Sequence, residues 1–261
     1  MTPGRARYND IHWRRLRKTI AFVTAALLTG ALALAAETQK KDVDLKASDG
    51  TTLKGTYFSP ERPGPAILLL HQCNMDRHAW DGLAQDLANA GFHVLTFDFR
   101  GFGDSGGKTT DAAERRKVMQ EKWPGDVDTA YAYLLEQKGV DKNRVAAGGA
   151  SCGVTQSSDL AARHHEIHTL MLLSGQASAA TKEYLTATPS VAVFGAASEG
   201  DTNAAKGIRE AVGASKNPHA TLKIYDGTEH GVPMFAKHAD LEPMIVSWLQ
   251  TQVGGHAGHH E

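Results

Sequence analysis

The fold class the sequence predicts is α/β, a mostly parallel sheet flanked by helices, and three observations carry that prediction. Short apolar runs alternate with longer helical stretches from Ala66 to Gln252. A run such as Ala66–Leu70 is apolar at every residue, as in a strand covered on both faces. Helical stretches fall between successive runs, as a parallel sheet requires, because each crossover must bring the chain back to start the next strand in the same direction.

Taken in order, the elements begin antiparallel. Lys41–Ala47 and Thr51–Ser59 alternate as strands do, and Asp49-Gly50 between them signals a hairpin turn, whose two central positions need positive φ. Ala66–Leu70 is the third strand, bounded by Pro65 and a polar cluster. Trp80–Ala90 is helical and Val94–Phe99 a strand. Pro124–Lys138 (helix), Arg144–Gly148 (strand), Gly153–Arg163 (helix) and Leu170–Leu173 (strand) follow. Val191–Phe194 (strand), Asn203–Val212 (helix), Thr221–Tyr225 (strand) and His238–Gln252 (helix) complete the series. Asp104–Lys122 is polar and charged. It reads as a loop with a helical turn at a strand C-terminus, where substrate-facing loops of open sheets lie. No repeat, linker or composition break divides residues 37–253.

The N-terminus is organised differently. Residues 1–36 hold Arg5, Arg7, Arg14, Arg15, Arg17 and Lys18, then the mostly apolar Thr19–Ala35, which ends in Ala33-Leu34-Ala35. A basic segment, an apolar segment and a small-residue cleavage site make a secretory signal peptide, with a permanent N-terminal anchor as the alternative. The expected location is the periplasm or the exterior. Six of the 28 basic residues and one of the 29 acids lie in residues 1–36, so the remainder carries a formal charge of −6. Such a balance gives no basis for nucleic-acid binding. Hydrophobic residues at 41% and charged residues at 22% describe a globular chain with a sizeable core. Two cysteines exclude a disulfide-dense scaffold and a four-thiolate metal site. The tail, residues 254–261, carries His256, His259 and His260 and reads as a frayed terminus.

The chemistry begins at Gly149-Ala150-Ser151-Cys152-Gly153, a G-x-S-x-G match between a predicted strand and a predicted helix. A serine forced onto a sharp turn there is relieved by glycines two residues to either side, and the helix N-terminus offers amides to a developing oxyanion. Cys152 competes for the nucleophile's role, but its neighbours two residues away are Ala150 and Val154, so the spacing favours Ser151.

With the Ser151 turn, three further segments, Leu69-Leu70-His71-Gln72-Cys73, Asp98-Phe99-Arg100-Gly101-Phe102-Gly103-Asp104-Ser105 and His230-Gly231, give the chain its family likeness. From Thr52 to the last helix it resembles the α/β-hydrolase superfamily, in particular the small, lidless dienelactone-hydrolase-like branch. The resemblance implies a serine, an acid and a histidine in that order along the chain. Of thirteen histidines, only His230 follows the last predicted strand with an adjacent glycine, which makes it the candidate base. His164, His165 and His168 read as solvated or helix-terminal residues. The resemblance also implies an oxyanion hole from the backbone N–H groups of Cys73 and Cys152, with His71 shaping the loop. Gln72 stands where the family usually has glycine. Asp98-Phe99-Arg100-Gly101 reads as structural.

For the acid, Ser190–Gly195 ends its strand and the family places Asp three or four residues later, whereas here position 199 is Glu and the first Asp is Asp201. Asp201 is chosen over Glu199, because Gly200 lets the loop curl; the alternative is that Asp201 only caps the helix beginning near Thr202. Export would permit a disulfide between Cys73 and Cys152, but the family's hole does not need one, so two separate thiols are the expectation. The implied activity is that of a serine hydrolase cleaving a small-molecule carboxylic ester or related acyl bond through Ser151, His230 and Asp201. It requires no cofactor and no metal. The alternatives are a dienelactone-type lactone hydrolase and a non-catalytic binding protein on the same fold.

Overall fold

Residues 38–253 are described by a computed structural model, so the signal peptide read at 1–36 and the tail at 254–261 lie outside the described residues. The strands are β1 (Gln39–Lys46), β2 (Thr52–Ser59), β3 (Gly64–Leu70), β4 (His93–Phe97), β5 (Val140–Ala150), β6 (Ile167–Leu173), β7 (Ala192–Ser198) and β8 (Thr221–Tyr225). They form one sheet in the order β1-β2-β4-β3-β5-β6-β7-β8. β1 pairs antiparallel with β2, and β2 with β4; every other neighbouring pair is parallel. The turn between β1 and β2 is centred on Ser48-Asp49, closed by the Gly50 N–H donating to the Ala47 carbonyl at 2.8 Å; only Gly50 takes positive φ (+84°), so the expected turn with positive φ at both Asp49 and Gly50 is replaced by a longer loop that ends on the glycine.

Eight helices connect and cover these strands: α1 (Asp81–Asn89), α2 (Ala112–Glu121), α3 (Trp123–Leu135), α4 (Cys152–Arg163), α5 (Ala179–Ala187), α6 (Thr202–Ala214), α7 (Met234–Lys237) and α8 (Leu241–Val253) among the described residues. The apolar strands read from sequence are buried on both faces because successive side chains point in opposite directions. Ala66, Leu68 and Leu70 of β3 pack in one core with Val127 and Leu134 of α3, Leu160 of α4 and Ile208 of α6. Ile67 and Leu69 pack in the other with Leu83 and Leu87 of α1 and Ile245 and Leu249 of α8. Every strand residue from Ala66 to Leu70 is fully buried. Each such Leu or Ile contributes about 1.5–3 kcal/mol relative to exposure.

Differences from the sequence expectation lie in the polar and short elements. Asp104–Lys122 holds a full helix, α2, in place of a single turn. Asp111 caps it, accepting the Glu114 backbone N–H at 2.7 Å, and the helix buries no residue. α5 lies in a stretch given no element, and it too starts at a side-chain cap, Ser178 accepting the Thr181 N–H at 3.1 Å. β5 begins at Val140, four residues ahead of Arg144, with a register irregularity against β3.

Charged residues brace the loop after β4. Asp98 is fully buried. It accepts the Arg77 backbone N–H at 2.7 Å, the Arg77 Nη1 at 2.5 Å and the Asp104 N–H at 2.8 Å. Arg100 forks onto Asp126 of α3 at 2.7 and 2.9 Å and reaches Asp49 of the first turn at 2.6 Å.

Candidate active site

β5 ends at Ala150 and α4 starts at Cys152, which leaves Ser151 alone at the turn with φ +54° and ψ −117°. A residue bearing a Cβ is strained there by about 1–3 kcal/mol, and such strain persists only where the surroundings enforce it. The enforcement is visible. The Ser151 N–H donates to the Leu173 carbonyl at 2.9 Å and the Val154 N–H donates to the Ser151 carbonyl at 3.0 Å. A Cβ at Gly149 would run into the Gly153 backbone, and one at Gly153 into the Leu70 carbonyl, so glycine is the residue that lets α4 start this close to β3 and β5.

His230 lies in the loop after β8. Its Nδ1–H donates to Asp201 Oδ2 at 2.5 Å, the tautomer being assigned from this bond. Asp201 sits at the N-cap position of α6, yet its side chain makes no cap hydrogen bond and is turned to the histidine instead. Glu199 points elsewhere, ion-paired with Arg209 at the surface. The loops carrying the pair are stitched together. Glu199 N–H donates to the Tyr225 carbonyl, Gly200 N–H to the Gly227 carbonyl and Ser198 Oγ to the Glu229 carbonyl, each at 2.8 Å. Ser151, Asp201 and His230 line one shallow cleft of about 300 Å³ with Thr155, Gln176 and Asn203.

Cys73 and Cys152, expected as separate thiols, are joined in a disulfide with their Cα atoms 5.8 Å apart. Sheet register is the reason. Leu70 is paired with Gly149 across β3 and β5, so the residues three positions beyond each emerge side by side at the same end of the sheet, within the span a bridge requires. Among the described residues neither the Cys73 nor the Cys152 backbone N–H has a protein acceptor, and both remain available as donors.

His71 is fully buried and both of its ring nitrogens are occupied. Nδ1–H donates to the Gln72 carbonyl at 2.8 Å and Nε2 accepts the Phe99 N–H at 3.0 Å. Burial holds its pKa below the ordinary value, and the ring serves as a brace between two loops. Gln72, which stands where the family usually has glycine, links the loop after β3 to the loop that carries His230. Its Oε1 accepts the Val232 N–H at 2.9 Å and its Nε2 donates to Asn74 Oδ1 at 2.8 Å. His164 caps the end of α4 and meets Asp128 at 3.1 Å, away from the cleft. Among the described residues no three His, Cys, Asp or Glu side chains converge as a metal site would need, and no helix is long and apolar enough to cross a membrane.

A family model described as the alpha/beta hydrolase fold matches residues 65–213. An uncharacterized protein of Mycobacterium tuberculosis is 30% identical over 151 residues, 57% of this chain and 50% of the relative. A thiohydrolase of Aspergillus aculeatus is 30% identical over 113 residues, 42% of this chain and 33% of the relative. The chain thus spans half or less of the length of these curated relatives. An esterase of Pyrococcus furiosus superposes with TM-score 0.65 at 19% identity, covering 83% of this chain and 92% of its own. A cold-adapted esterase from an Arctic intertidal metagenomic library does so with TM-score 0.61 at 19% identity, covering 80% and 94%.

Proposed function

The chain belongs to the α/β-hydrolase fold family, and from that premise we propose that it is a serine hydrolase cleaving a carboxylic ester or related acyl bond of a small molecule. The observation that carries the reading is the Asp201–His230 pair lining the same cleft as a serine on a strained strand-to-helix turn. With its Nδ1–H given to Asp201, His230 is left with an acceptor at Nε2. It takes the Ser151 proton as Oγ attacks the acyl carbon, and Asp201 stabilises the imidazolium that results. The carbonyl oxygen becomes an oxyanion, for which the N–H groups of Cys73 and Cys152 are the donors. Collapse of this intermediate expels the alcohol or thiol, which receives its proton from His230 and leaves an acyl-Ser151. Water then attacks by the same route, and the acid product departs.

A cleft of about 300 Å³ suits a short acyl group. The thiohydrolase among the relatives supports placing thioesters beside oxygen esters in the substrate class, and the dienelactone-hydrolase-like branch adds lactones. The test is a panel of p-nitrophenyl acetate, p-nitrophenyl butyrate, a short-chain thioester and a lactone, assayed with wild type and Ser151→Ala. Turnover of at least one by wild type, lost in Ser151→Ala together with labelling by a fluorophosphonate, is expected. Equal turnover by the variant overturns the reading. The proposal includes export: the basic and apolar segments ahead of Ala36 support it, as does a disulfide, which persists in oxidising compartments. Intact mass of protein recovered from the periplasm or medium should correspond to cleavage near Ala36.

A further inference from the structure

The Cys73–Cys152 bridge joins the two residues whose backbone N–H groups the preceding reading assigns to the oxyanion. Its location, with each sulfur three bonds from a donor nitrogen through the Cα and Cβ atoms, separates it from a bridge that merely shortens the chain. β3 ends at Leu70, and beyond it the loop depends on a few contacts. His71 is fixed by its two ring bonds, and the Met75 N–H returns to the Gln72 carbonyl at 3.0 Å. The Gln72 side chain ties the loop to Val232, two residues past His230. None of these reaches across to the start of α4. The Gly153 backbone packs against the Leu70 and His71 carbonyls, but beyond His71 the disulfide is the covalent link that sets where the Cys73 amide stands relative to the Cys152 amide, which is carried by the first residue of that helix.

Oxyanion donors are sharply dependent on position. They act only when about 2.7–3.1 Å from where the oxygen will be, and removal of one side-chain donor costs about 10²–10³ in kcat in a comparable enzyme. We infer that the Cys73–Cys152 disulfide is a positioning element of the oxyanion hole, so that the oxidised protein turns over ester substrate faster than the dithiol form. The inference rests on the serine-hydrolase reading. Gln72 and His71 still hold the loop when the bridge is opened, so the loss should be smaller than that of a whole donor, about 10-fold to 100-fold in kcat. Because the amides act on charge that develops after binding, KM should change little.

The experiment compares oxidised wild type, dithiothreitol-reduced wild type and the Cys73→Ser/Cys152→Ser double variant, with p-nitrophenyl acetate as substrate. Reduction moves two electrons and two protons from the dithiol to the two sulfurs, leaving two thiols and a cyclic dithiothreitol disulfide; reoxidation should reverse it. All three forms are assayed at a low temperature, with circular dichroism recorded on the same samples. Expected are a 10-fold to 100-fold fall in kcat in both bridge-free forms, KM within about twofold, an unchanged pH dependence of kcat/KM, native dichroism and recovery on reoxidation. An unchanged kcat overturns the inference. So does a loss of activity that tracks loss of native dichroism, since the bond then supports only global stability. If oxidised wild type neither hydrolyses the panel substrates nor reacts with the fluorophosphonate, the serine-hydrolase reading itself has failed and the inference falls with it.

Discussion

Two acids compete for His230 in the sequence, and one hydrogen bond separates them in the structure. Asp201 gives its Oδ2 to the ring at 2.5 Å, whereas Glu199 belongs to a surface ion pair with Arg209 whose side chains are 62% and 44% exposed. Asp201→Asn should therefore lower kcat by about 10⁴, because the amide no longer stabilises the imidazolium and favours the wrong tautomer. Glu199→Gln should leave kcat nearly intact, since exposed pairs contribute only about 0–1 kcal/mol. Steady-state kinetics on the two variants side by side, at a temperature where both are folded, check this; a severe loss confined to Glu199→Gln would reverse the assignment. Ser151 was legible because its requirement is local: a strained turn flanked by glycines writes its own pattern. The acid was less legible. An Asp just ahead of a helix reads equally as a cap, and only the fold brings residue 230 back to it. The role of Gln72 is not legible in the sequence, since its partner Val232 lies 160 positions away.

At the scale of elements, the strands were readable and the polar helices were not. A buried strand needs apolar residues on both faces and so displays them, as Ala66–Leu70 does. α2 buries nothing, and a helix polar all round leaves no 3.6-residue apolar period to detect. Its remaining signal was Asp111 followed three residues later by Glu114, the acid-capped form of a helix start. The Asp98 brace was half visible: the motif suggested a structural role, while Arg77, the residue it neutralises, comes from a separate turn. Arg77 and Asp98 have side chains 6% and 0% exposed. Removing one charge of a buried pair costs about 3–5 kcal/mol, so Asp98→Ala should destabilise by that order, while a surface aspartate such as Asp44 changed to Ala should shift stability by less than about 1 kcal/mol. Urea unfolding with both variants measures the contrast, and an Asp98→Ala midpoint equal to wild type would count against the brace.

For the molecule as a whole, two histidines set a direction of pH dependence. Burial depresses the pKa of His71 and of His93, and His93 is further engaged by the Tyr57 hydroxyl at Nδ1, 2.5 Å away. Both groups bind a proton more readily in the unfolded chain, whose histidines titrate near about 6.5. Their contribution is consequently intact above that pH and is lost progressively as pH falls below it. Thermal unfolding followed from about pH 7.5 to 5 should show Tm falling below about 6.5, and His93→Phe, which keeps an aromatic ring but cannot titrate, should show a shallower fall. An identical slope in the variant would exclude His93 as a source. The disulfide carries a different consequence, one for biosynthesis. The chain has two cysteines, separated by 79 positions, and both are in the bridge. One intramolecular pairing is therefore available, and no scrambled isomer of the monomer exists to be corrected. Maturation then calls for an oxidant that removes two electrons from the two thiols, and for no isomerase to reshuffle bonds afterwards.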